Sequence, residues 1–153
     1  MTVPGPSSGS TIASGAEVRA SEITSGGPQP DPQMQNKSGA DLIAEAKTRT
    51  RQVSIDDVKK SIGAADAPLL LDVREPQETN LGRLPGAIVI PRGTMETRVE
   101  AVIPREAAVV IYCASDNRSA LAADTLVQMG YEDVAWMKGG FNGWAVSGGP
   151  VAS

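Results

Sequence analysis

One cysteine, no histidine, and an arginine placed four intervening residues beyond the cysteine set the terms for any chemistry in this chain. Cys113 is the only thiol, so an intramolecular disulfide and a Cys-rich metal site are both closed to it. The absence of histidine removes the commonest metal ligand and the commonest general base. A nucleophile here must be activated without imidazole. Cys113 follows the apolar run Ala107 to Tyr112 and precedes Ala114-Ser115-Asp116-Asn117, which are small or turn-favouring. Those residues lead into a helix expected to begin near Arg118 or Ser119. A loop of this kind turns successive backbone N–H groups inward as an anion nest. The helix N-terminus adds its own unpaired N–H groups and partial positive charge. Both effects favour thiolate over thiol. Arg118, in the first helical turn, opposes the helix dipole, and an anion in the loop would compensate for it. The competing reading makes Cys113 an inert small residue at a strand end.

The elements that must position this loop are legible in the apolar pattern. Four short runs lack alternation: Leu69 to Val73, Ala87 to Ile90, Ala107 to Tyr112, and Asp133 to Met137. Runs of this kind are covered on both faces, which is the mark of parallel strands. Gln52-Val53 reads as a further short strand. Asp41 to Lys47 has helical spacing. Ser54 reads as an N-cap with Asp57 as its capping-box partner, starting a helix that runs to about Ile62 and stops at Gly63. Ser119 to Met129 places Leu121, Ala122, Thr125, Leu126 and Met129 on one helical face, with Gly130 at the C′ position. Arg92 to Glu100 reads as a surface helix and Phe141 to Val146 as a last short one. Strands alternating with helices predict an α/β domain of about 100 residues with helices on both faces. In open α/β sheets ligands gather at the carboxyl ends of strands, where Cys113 lies.

The bulk properties bound the rest. Net charge is −4, and no basic run offers a nucleic-acid footprint. No stretch approaches the roughly 18 consecutive apolar residues of a membrane span. Met1 to Ser10 has neither a basic residue nor an apolar segment of signal-peptide type, so the expectation is a cytoplasmic protein. From Val3 to Gln33 roughly half the residues are Ser, Gly or Pro, and residues 1–37 are expected to be a disordered tail ahead of a domain at 38–153.

Residues from about Arg51 to Val151 resemble the single-domain rhodanese family of sulfurtransferases. The resemblance is carried by Leu71-Asp72-Val73-Arg74-Glu75, Gly82-Arg83-Leu84-Pro85-Gly86-Ala87 and Ile90-Pro91-Arg92-Gly93. It continues through Val110-Ile111-Tyr112-Cys113-Ala114-Ser115-Asp116-Asn117-Arg118-Ser119-Ala120 and ends with Lys138-Gly139-Gly140-Phe141-Asn142-Gly143-Trp144. It implies a rhodanese-like, mostly parallel five-stranded sheet flanked by helices. It also implies a Cys113 persulfide, formed from a donor such as thiosulfate and discharged to cyanide or a thiol. The loop Ala114, Ser115, Asp116, Asn117 and Arg118 would hold that persulfide. No cofactor and no metal are implied, and the expected state is a monomer that takes a small sulfur donor or a protein persulfide partner. A non-catalytic sulfur-carrier or partner-binding module is the alternative. Cysteine-loop phosphatases and arsenate reductases are related in fold, but the phosphatase loop has five residues between Cys and Arg where this chain has four.

Other residues carry narrower expectations. Asp72 and Arg74 are expected to pair at a strand end and brace the loop. Arg92 is a candidate contact for a substrate anion. Trp136 and Trp144 read as packing residues, and Lys138-Gly139-Gly140 as a turn at the pocket edge. Two positions depart from the family pattern. Arg83 stands where histidine is usual. Asp116 stands where glycine is frequent, so it is expected to adopt a left-handed backbone and to bring negative charge near the path of a dianionic donor.

Overall fold

Local signals fix where the elements begin. In the computed structural model, which describes residues 36–153, Ser38 caps helix α1 (Gly39–Arg49). The Asp41 N–H donates to the Ser38 hydroxyl and the Ser38 N–H donates to the Asp41 carboxylate, each at 3.0 Å. This reciprocal cap satisfies donors the helix itself leaves orphaned. Strand β1 (Arg51–Val53) follows. Ser54 and Asp57 then repeat the same box at helix α2 (Ile55–Ser61), as their spacing predicts. Lys37–Ser153 forms one compact unit. The tail expected at 1–37 lies outside the described residues apart from its last two.

The four apolar runs are strands β2 (Leu69–Asp72), β3 (Ile88–Val89), β4 (Ala108–Tyr112) and β5 (Asp133–Met137). They join β1 in a five-stranded sheet of order β1-β5-β4-β2-β3. The sheet was expected to be mostly parallel; every strand pair in it is parallel. Among the described residues, antiparallel pairing is confined to an isolated bridge outside the strands, between Arg83 and Ala152.

Between the strands lie helices α3 (Pro76–Thr79), α4 (Met95–Val102, entered through a tight turn at Arg92–Thr94), α5 (Asn117–Gln128) and α6 (Gly140–Val146). Helix α5 starts a residue or two earlier than expected. It ends as predicted at Gly130, whose φ of +93° suits a residue without Cβ.

Side-chain alternation sorts the core into two layers. On one face, Leu71, Val109, Ile111, Val134 and Trp136 pack with Ala46 of α1, Met95 and Val99 of α4, and Ala123 and Leu126 of α5. On the other, Leu70, Val110, Tyr112 and Met137 pack with Val58 of α2 and Trp144 of α6. Both tryptophans are core residues, and each indole N–H is satisfied: Trp136 donates to Thr50 Oγ1 at 2.9 Å and Trp144 to the Pro150 carbonyl at 2.7 Å. Helix α4 corrects the expectation of a plain surface helix. Its charged residues face outward, but Met95 and Val99, one helical turn apart, are fully buried.

Topology locates the site. From β2 the chain moves outward to β3, and from β4 it moves the opposite way to β5. The carboxyl ends of β2 and β4 therefore flank the switch-point crevice, where open α/β sheets bind ligands. Cys113 follows β4 and α3 follows β2, so both border it. As a check on the capping account, Ser54→Ala should lower unfolding free energy by about 1 kcal/mol in a denaturant titration, with the slope unchanged.

Candidate active site

Strand β4 delivers Cys113 on the same face as Val109 and Ile111, at the floor of the crevice, where it is only 1% exposed. Its sulfur accepts the Ser119 N–H at 3.3 Å, and its thiol meets the Ser119 hydroxyl at 3.4 Å. Ser119 is itself fully buried, and its hydroxyl donates to the Asp116 carbonyl at 3.0 Å. The first turn of α5 thus closes back on the sulfur.

The remaining loop is held from behind by α6. The Phe141 N–H donates to the Cys113 carbonyl at 2.8 Å and the Asn142 N–H to the Ala114 carbonyl at 3.0 Å. At Gly140, φ is +59°, and a Cβ would lie 2.4 to 2.6 Å from the carbonyl oxygens of Cys113, Ala114 and Ser115. Those carbonyls therefore converge on the start of α6. The described peptides are all trans, and in a trans peptide the C=O and N–H are antiparallel. The N–H groups of Ala114, Ser115 and Asp116 consequently face away from α6.

Asp116 departs from its expected conformation. Its backbone has φ −132° and ψ −29°, not left-handed. Its carboxylate accepts the Gly139 N–H at 2.7 Å, reaching to the turn that precedes α6.

Arg118 turns across the crevice. Its two terminal nitrogens donate to both oxygens of Glu78, at 2.8 and 3.0 Å. Glu78 also accepts the Glu75 N–H at 3.0 Å. The Arg118 hydrogen bond, opposed by partial burial and aided by the Glu75 N–H, holds the Glu78 carboxyl down to about 2. The same hydrogen bond is the main cause raising Arg118 above the usual arginine value; burial opposes it, and the charges of Glu78, Cys113 and Glu75 add to it. Glu78 and helix α3 escaped the sequence reading. The available signal was Glu75-Pro76-Gln77-Glu78, with proline at N1 and a glutamate at N3.

Asp72 and Arg74 form a buried pair, 0% and 4% exposed. Asp72 accepts the Arg74 N–H at 2.9 Å, its Nε at 3.1 Å and its Nη2 at 2.8 Å. Arg74 Nη2 also donates to the Gly82 carbonyl at 2.7 Å, and the guanidinium lies 4.2 Å from the centre of the Phe141 ring. Burial disfavours the Arg74 charge, but the Asp72 hydrogen bond and charge more than offset it and raise the group. Burial foremost, then the charge of Asp72, pushes the Tyr112 hydroxyl well above its usual value. That hydroxyl accepts the Leu84 N–H at 3.0 Å.

Arg92 is anchored by its main-chain N–H on the Val73 carbonyl at 3.0 Å, just past the carboxyl end of β2. It donates to Glu96 at 2.9 Å and to Thr125 at 3.2 Å, two turns along α5 from the loop. Arg83 uses its main chain, exchanging hydrogen bonds of 2.9 and 2.7 Å with Ala152. A cavity of about 230 Å³ at the amino ends of β1, β4 and β5 is lined by Val53, Val58, Val109 and Val110, remote from Cys113. Among the described residues, no three His, Cys, Asp or Glu side chains gather as a metal site.

A single thiol in a backbone loop at the switch point of a parallel α/β sheet sets the class: an α/β domain with one cysteine between strand and helix. Within that class the chain belongs to the rhodanese-like family: the family's domain model matches residues 54–147. A sulfurtransferase of Allochromatium vinosum is 32% identical over 102 residues, covering 67% of this chain and 94% of the relative. The thiosulfate:glutathione sulfurtransferase of Saccharomyces cerevisiae is 26% identical, covering 73% of this chain and 90% of the relative. A solved structure from Rhodopseudomonas palustris, a protein of unknown function and possible tyrosine phosphatase, superposes with TM-score 0.69 at 32% identity, covering 80% of this chain and all of that one.

Two outcomes test the geometry. Gly140→Ala places a methyl against three backbone carbonyls at a positive φ, so it should displace the loop and destabilise the fold, seen as a lowered melting temperature. Glu78 has a depressed value when folded, so its pairing stabilises the protein above about 4.5 and is lost as pH falls toward about 2. Glu78→Gln should therefore lower the melting temperature at pH 7 and flatten its decline between those pH values.

Proposed function

We propose that this protein is a sulfurtransferase that carries a sulfane sulfur on Cys113. The observation that carries the reading is the loop itself. Its carbonyls are turned onto α6, its amides face the other way, and the Ser119 N–H is already on the sulfur. Backbone donors fixed in this way stabilise negative charge without reorganising.

The Cys113 thiolate attacks the outer sulfur of thiosulfate. A bond forms between the two sulfurs, the donor's S–S bond breaks, and sulfite leaves with the bonding pair. The persulfide anion rests in the loop from Ala114 to Arg118. Cyanide or a thiol then attacks the terminal sulfur, taking it as thiocyanate or as a new persulfide and returning the Cys113 thiolate. Ser119 serves this anion by its N–H, and its hydroxyl can rotate from the Asp116 carbonyl to the sulfur. Asp72 and Arg74 are structural, bracing Phe141 behind the loop. A lone thiol that must stay reduced fits a reducing compartment such as the cytoplasm, and the protein works as a monomer.

The R. palustris structure raises a phosphatase as a rival. Four residues between Cys113 and Arg118 make a tighter loop than phosphatase chemistry uses, and Arg118 is already engaged on both of its terminal nitrogens by Glu78.

Intact-mass spectrometry after thiosulfate exposure tests the proposal. The expected result is a gain of one sulfur, absent in Cys113→Ser and reversed by cyanide. An unchanged mass with both thiosulfate and an organic persulfide would rule the reading out.

A further inference from the structure

The seam between loop and α6 contains one side chain. Cys113 and Ala114 are held through their carbonyls by the Phe141 and Asn142 N–H groups. The far end of the loop is held differently, by the Asp116 carboxylate on the Gly139 N–H at 2.7 Å. The same residue opens α5, because its carbonyl accepts both the Ala120 N–H and the Ser119 hydroxyl at 3.0 Å. Asp116 thus joins the starts of the two helices that bracket the sulfur. Its charge is placed where helix amides favour an anion.

We infer that Asp116 is a positioning residue for the proposed sulfur-carrying site. By tying residue 116 to Gly139 it sets the orientation of the last loop peptides, and through Ser119 it sets the N–H that contacts Cys113. A glycine could supply backbone freedom at this position but not this tether. The inference rests on the sulfurtransferase reading for its purpose and on the hydrogen bond for its mechanism. It stands against the expectation that Asp116 hinders a dianionic donor by bringing negative charge near its path.

The two ideas predict opposite results. Asp116→Ala removes both charge and tether, whereas Asp116→Asn removes the charge and keeps an oxygen for Gly139. A tether predicts that Asp116→Ala lowers kcat/KM for thiosulfate by roughly tenfold, as expected for losing a charge-assisted hydrogen bond that orients reacting groups, and that Asp116→Asn restores most of the loss. It also predicts that the pH profile of Cys113 alkylation by iodoacetamide moves to higher pH in Asp116→Ala and returns toward the parent in Asp116→Asn. A merely structural residue would change melting temperature and leave that profile in place. Where the alanine variant does not fold, Asp116→Ser, too short to reach Gly139, replaces it. Parent-like or faster turnover in Asp116→Ala, or an asparagine variant as impaired as the alanine one, overturns the inference. Alkylation needs no sulfur donor, so a parent protein that accepts no sulfur defeats the sulfurtransferase reading while the tether is still judged by its own profile.

Discussion

The site depends on where three carbonyl oxygens point. Those of Cys113, Ala114 and Ser115 crowd against Gly140, and two of them are taken by amides of α6. Because the peptide unit is planar, fixing a carbonyl on one side fixes the next N–H on the other. A loop without this backing would have to satisfy its carbonyls with water, and its amides would be free to rotate. Helix α6 therefore sets the geometry of the loop through its main chain, without a side chain. Gly140 is the residue that lets α6 approach so closely.

The backing has its own support. Phe141 supplies the N–H that holds Cys113, and its ring lies over Arg74, which is locked by Asp72 and the Gly82 carbonyl. A buried ion pair is poor evidence for stability, since its desolvation can outweigh its attraction. Its value here is geometric. Four hydrogen-bonding contacts fix one guanidinium, and that plane sets the floor beneath Phe141. On the opposite wall, Glu78 fixes Arg118 in a bidentate pair, the arrangement in which arginine loses least freedom per hydrogen bond.

How much of this the sequence disclosed follows from the range of each interaction. Features decided within a few residues were legible: the Ser54–Asp57 box, the Gly130 stop, the strands as unbroken apolar runs, and Cys113 between strand and helix. The sheet's parallel character followed from the absence of alternation. Contacts between distant residues were not legible. Glu78 meets Arg118 across 40 positions and Asp116 meets Gly139 across 23, and no spacing rule joins them. Helix α3 was missed because four residues around a proline give no periodicity to read. The conformation of Asp116 was missed for a related reason: compared with glycine alone it suggested a left-handed backbone, whereas its φ is −132° and its carboxylate accepts the distant Gly139 N–H.

A site assembled from amides and arginines also has a fixed charge. The chain has no histidine, and histidine is the side chain whose unperturbed value lies between pH 5 and 8. Glu78, held to about 2, stays ionised throughout that interval, and Arg118 is raised still further from it. The Tyr112 hydroxyl stays protonated because burial pushes it upward. Glu78, Arg118 and Tyr112 therefore keep the same charge state at either end of the neutral range. Giving up imidazole removes a proton carrier, but the sulfur transfer proposed above would not require one: in that step a thiolate attacks and sulfite leaves as an anion.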